Sequence, residues 1–85
     1  MNAVQKDGFP TGIYRHYKGG LYRVHTLAHM EATHEPVVVY ESLQDSGEFP
    51  EGTLWVRPLR EFAQQLDAEG EKISRFTYEG QYSSL

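Results

Sequence analysis

The pair Gly19-Gly20 separates two runs, GIYRHYK (12–18) and LYRVHTLAHME (21–31), that are dense in aromatic and β-branched side chains. Such side chains suit a pleated, half-buried surface. A Gly-Gly pair supplies the positive φ angles of a tight hairpin turn. The chain therefore opens on a β-hairpin, and a hairpin alone leaves edges that further strands must cover.

Those strands are legible downstream. ATHEP is a polar break whose Pro36 fits the first position of a strand. VVVYESL (37–43) has the highest density of β-branched residues and is expected to be the most deeply buried strand. QDSGEFPEG has the composition of a loop, and TLWVRPL (53–59) is a fourth strand, stopped at Pro58. In PLREFAQQLDAEG, Leu59, Phe62, Ala63 and Leu66 recur at the spacing of one helical face, which predicts a helix of about two turns leaving at Gly70. KISRFTYE (72–79) gives one more strand. Four or five short strands with one short helix predict a mainly β fold, an SH3-like antiparallel barrel; the alternative is a two-layer α+β sheet. A single domain over 12–79 follows a flexible lead-in over 1–11 and precedes a polar tail over 80–85.

Eighty-five residues leave a modest core. With no cysteine, neither a disulfide nor a thiolate metal site can supplement it. Aromatic residues, 13% of the chain, are the obvious resource, since one buried ring removes about 150–250 Å² from water. No basic segment leads into an apolar run at the start, and the longest apolar run, VVVY, is far short of a membrane span. A cytoplasmic protein that makes no use of a membrane is the expectation. Residues 1–30 carry four cations against one carboxylate, whereas residues 31–85 carry four against eleven. The formal charge of −4 argues against a general nucleic-acid coat but leaves room for an anion site on the first hairpin.

Strand parity sorts the faces. In the fourth strand Leu54 and Val56 are expected to point inward, which puts Trp55 and Arg57 on the outer or groove face. In the third, Val38 and Tyr40 are expected inward, because Glu41 prefers water. The first strand admits two assignments: Ile13 and Tyr17 buried, or Tyr14 buried with His16 at the core boundary. Both faces of the second strand are mixed, which predicts a bulge or strong bend.

GIYRHYKGGLYRV, VVVY and LWVRPLREF together resemble a bacterial family known as a domain of unknown function, number sixteen fifty-three in that series. The matching positions are Gly12, Tyr14, His16, Tyr17, Lys18, Gly19, Tyr40, Trp55, Arg57, Pro58 and Phe62, and the match runs from Gly12 to Phe76. The family's His-x-Glu-Thr element is met by His29 and Glu31, with Thr33 one residue late. The resemblance implies a small β-rich fold and brings no established activity.

The residues favour binding over catalysis. His25 and His29 lie four apart in a strand, about 13 Å and too far for one ion. His29 and His34 with Glu31 or Glu35 are the remaining metal candidates, but tetrahedral zinc needs three or four converging ligands, so neither a metal nor a cofactor is expected. No serine sits in a nucleophile elbow. What remains is an aromatic and basic group: His16, Lys18, Trp55 and Arg57, with Tyr17. Arg offers a bidentate fork to carboxylate or phosphate, and an aromatic ring stacks on any flat group. The expected ligand is accordingly a nucleotide, nucleic acid or peptide, held by an anionic or aromatic feature. The bland counterpart has Trp55 plugging a barrel end and Arg57 paired with Glu31, Glu41 or Glu61. An enzyme using His16 as acid or base, with Glu31, on a nucleotide-like or carbonyl substrate is the rival reading. An oligomer contact made by exposed aromatics is the third.

Overall fold

The computed structural model describes residues 10–68 and 70–80. The expected lead-in and tail, apart from Pro10, Thr11 and Gly80, lie outside the described residues. The elements in order are β1 (Gly12–His16), β2 (Leu21–His29), β3 (Pro36–Ser42), β4 (Leu54–Pro58), α1 (Leu59–Phe62), β5 (Gln65–Ala68), β6 (Glu71–Ser74) and β7 (Phe76–Gly80). Five strands form an antiparallel sheet in the order β4-β3-β2-β1-β7, and β5 pairs only with β6 in a separate hairpin.

The first hairpin forms where the glycines place it. Gly19 has φ +109, and its N–H donates to the His16 carbonyl, while the His16 N–H donates to Gly20, both at 2.7 Å. The strand ends at His16, so Tyr17 and Lys18 sit in the turn. In β2 the register slips between Val24 and Thr26. Val24 lies opposite Tyr40, and Leu27 lies opposite Val38, so two residues three apart share one face. A bulge at His25 absorbs the offset, and this is why neither face of β2 shows clean alternation.

Two expectations are corrected. The sheet does not close into an SH3-like barrel: among the described residues β4 and β7 are its open margins. The fold is the two-layer alternative, an open sheet with α1 laid on one face. Closure fails because the last expected strand breaks at Arg75 into β6 and β7, and only β7 joins the main sheet, beside β1. The two-turn helix is also shorter than expected. It stops at Phe62, and Leu66 lies in β5 opposite Ile73. A longer helix would need the Glu61 and Gln64 carbonyls as acceptors. Instead the Glu61 carbonyl accepts from the Gln64 N–H (3.2 Å) and from Arg75 Nε (3.1 Å), and the Gln64 carbonyl accepts from the Arg75 backbone N–H (2.9 Å). Gly70, expected to end a helix, has φ +84 in the β5–β6 connection.

Rings dominate the core. Tyr14, Val24, Val38, Tyr40, Phe62 and Phe76 are buried together, with Tyr22, Leu27, Trp55 and Leu59 packed around them. The single turn of α1 serves to deliver Phe62, 1% exposed, against the sheet. There it stacks on Phe76 (centroids 4.0 Å apart, planes within 3°) and meets Tyr14 and Tyr40 edge-on. Burying a phenylalanine contributes about 1.5–3 kcal/mol. The Tyr14 hydroxyl donates to the Pro10 carbonyl at 2.7 Å, and burial pushes that phenol up to about 12. Gly12 sits where β1 meets β7: an added Cβ would lie 2.5 Å from the Gly80 oxygen, at a φ of +132.

Candidate functional site

The register of β4 decides the site. Trp55 lies opposite Tyr40 and Arg57 opposite Val38, and directly opposed residues share a face. Val38 and Tyr40 point inward as expected, so Trp55 and Arg57 must as well. Leu54 and Val56 are 64% and 56% exposed. The expected parity of β4 is therefore reversed. A slip of one residue between two strands exchanges every side chain between faces, and the two parities assigned from sequence imply that slip. The observed register brings the indole N–H within 2.8 Å of Ser42 Oγ and sets Phe49 edge-on against the ring.

With Trp55 and Arg57 turned inward and β1 in its Tyr14-buried assignment, His16 reaches the same place. The result is a cup of about 180 Å³ lined by His16, Tyr22, Tyr40, Trp55, Arg57 and Phe76. Three of the five expected site residues, His16, Trp55 and Arg57, are thus brought together. Tyr17 and Lys18 are not in the lining. Tyr17 is exposed on the turn, its ring 4.7 Å from His16, with Lys18 Nζ 5.7 Å from the Tyr17 centroid. Tyr22, Tyr40 and Phe76 complete the wall, outside the aromatic and basic group that the sequence singles out. Their signal was parity: if Tyr14 is buried, His16 faces inward too, and its cross-strand partner Phe76 follows.

His16 has a defined polarity. The Lys18 backbone N–H donates to its Nδ1 at 3.1 Å, so the neutral ring carries its proton on Nε2. Burial, then Arg57, Arg75 and Lys18, holds its pKa below the ordinary 6.5, which keeps the ring neutral near pH 7. A neutral ring with Nδ1 already accepting offers a donor, not the lone pair a general base needs. Glu31 follows the far end of β2, about 30 Å along the strand from the turn beside His16, so the structure does not assemble the His16–Glu31 pair. Arg57 donates to Glu61 at 3.2 Å and still lines the cup. The ion pair and the cup lining coexist in one side chain.

The other histidines serve the outer face and the turns. His25 pairs with Glu41, which Arg23 approaches at 3.9 Å. His34 has φ +66 in the turn after β2, and Glu35 pairs with Arg60 at 2.6 Å. Among the described residues no group of three or more His, Asp or Glu side chains could hold a metal ion. No helix among them is long and apolar enough to cross a membrane.

Fold and cup together define a small, mainly β protein with an open antiparallel sheet and a ring-lined recess on its covered face. Residues 12–78 match the model of the family described as Protein of unknown function (DUF1653). The chain belongs to that family, as its motifs suggest. It is similar to the crystal structure of a DUF1653 protein from Bordetella bronchiseptica, with 34% identity and a TM-score of 0.78 over 93% of this chain and 97% of that one. No curated protein matches the chain.

Proposed function

We propose that this protein is a non-catalytic binding module whose cup captures a single planar ring bearing acceptor oxygens or a carboxylate. The observation that carries this is the chemistry of the lining. Four aromatic rings flank two nitrogen donors, His16 Nε2–H and the Arg57 guanidinium, and no lining residue is a carboxylate. Such a cup stacks a flat group and directs donors at its edge. Its volume sets the size: a cavity of about 150 Å³ is known to admit benzene, so about 180 Å³ suits one ring with a small substituent.

The test is chemical-shift mapping of the labelled protein with benzoate and uridine. Perturbation centred on His16, the Trp55 indole and Arg57 is the expected result. If neither probe moves those signals at millimolar concentration, the proposal fails.

A further inference from the structure

The cup has a neighbour. A second, more open recess of about 490 Å³ is lined by Arg60, Glu61, Gln64 and Arg75. Arg75 lines that recess, and the next residue, Phe76, lines the cup. Arg57 of the cup is hydrogen-bonded to Glu61 of the recess. The two hollows are therefore neighbours, linked by one bonded pair and one pair of consecutive residues.

We infer that the cup and the arginine recess form one bipartite site for a single-ring nucleoside monophosphate, with the ring in the cup and the phosphate against Arg60 and Arg75. This rests on the reading of the cup as a ring-binding site. Size permits it: the cup of about 180 Å³ has room for one ring only, and the adjoining recess of about 490 Å³ has room for a sugar and a phosphate. Charge supports it as well. Arg57, Arg60 and Arg75 face two carboxylates, Glu61, bonded by Arg57 and Arg60 at 3.2 and 3.5 Å, and Glu35, bonded by Arg60 at 2.6 Å, which leaves one cation in excess around the recess. Arg75 is already held, its Nε by the Glu61 carbonyl and its Nη2 by Gln64 Oε1 at 2.9 Å. A guanidinium fixed beforehand loses little freedom when it meets a phosphate, and its planar fork matches phosphate oxygens. A polymer is disfavoured by the single-ring cup and the chain's charge of −4.

The experiment titrates the labelled full chain with uridine, uridine 5′-monophosphate and inorganic phosphate. Uridine should move the Trp55 indole and the cup alone. The monophosphate should also move Gln64 and Arg75 and bind at least about tenfold more tightly, the worth of one hydrogen bond to a charged group. Inorganic phosphate should move the recess and spare the indole. Arg60 is largely exposed and its ion pairs lie at the surface, so Arg60→Gln should fold normally, keep uridine binding and lose most of the phosphate advantage. Arg75→Lys, which keeps the charge but not the fork, should also reduce it. A monophosphate no tighter than uridine, or an advantage untouched by Arg60→Gln, overturns the bipartite site while uridine shifts uphold the cup. Binding of benzoate without either uracil compound does the same. Silence of the cup to all three rings brings down both readings.

Discussion

Strand β4 presents two faces made from adjacent residues, and they obey different rules. The inner face carries Trp55 and Arg57, both amphipathic; the outer carries Leu54 and Val56, both aliphatic and both turned to solvent. Hydrophobicity alone would reverse them. The inner face is roofed by a single helical turn and is bordered by a cup, so it needs broad rings whose polar tips can reach a partner or water. Isolated exposed aliphatics on the outer face are ordinary for a protein surface. The difference teaches that in a domain this small the covered face belongs to the side chains that bury area and still satisfy a donor.

That contrast can be broken most forcefully at the roof. Phe62→Ala removes one half of the stacked pair and should cost about 3–5 kcal/mol in urea unfolding, a large share of the about 5–15 kcal/mol that holds a typical domain folded. Ser42→Ala probes the same face more gently. Its loss leaves the half-buried indole N–H without its partner, for an expected cost of about 1–2 kcal/mol; a neutral result would mean that the bond does not hold Trp55 in place.

Acid sharpens the comparison next. Because the folded protein binds the His16 proton less tightly than the unfolded chain does, the unfolded state holds more protons below pH 6.5, and stability rises with pH there. Stability should therefore fall as pH drops below 6.5, until the folded-state imidazole is itself protonated. Denaturation at pH 7.5 and 5.5 should show a steeper loss for the native chain than for His16→Gln, and equal losses would assign the dependence to other groups. The smallest effect belongs to the outer face: Leu54→Thr and Val56→Thr should each stay within about 0.5 kcal/mol of the native value. A larger loss would show that these aliphatics are covered in solution.

Much of this was legible in the residues. The Gly-Gly hairpin, the buried Val38 and Tyr40, and the irregularity in β2 all follow from local chemistry. Local chemistry could not supply the register between β3 and β4, which a long loop leaves open, so Trp55 and Arg57 were grouped correctly but given the wrong face. Nor could it reveal that Arg75, fourteen positions beyond Glu61, bonds the last carbonyls of the turn and draws the chain into a hairpin. The helical spacing of Leu59, Phe62, Ala63 and Leu66 is real, but its last member pairs in a hairpin instead. For the site, His16, Trp55 and Arg57 were visible as types, while Phe76 entered only through the β1–β7 register.

That register joins segments from opposite ends of the sequence, Arg15 meeting Glu79 across 64 positions. Closing so long a span costs about 3–4 kcal/mol of chain entropy, which makes late, slow assembly of this seam the kinetic consequence. Phe76 arrives with it, so every partly folded form that lacks β7 lacks the floor of the cup. The cup is in this way complete only in molecules that have finished folding.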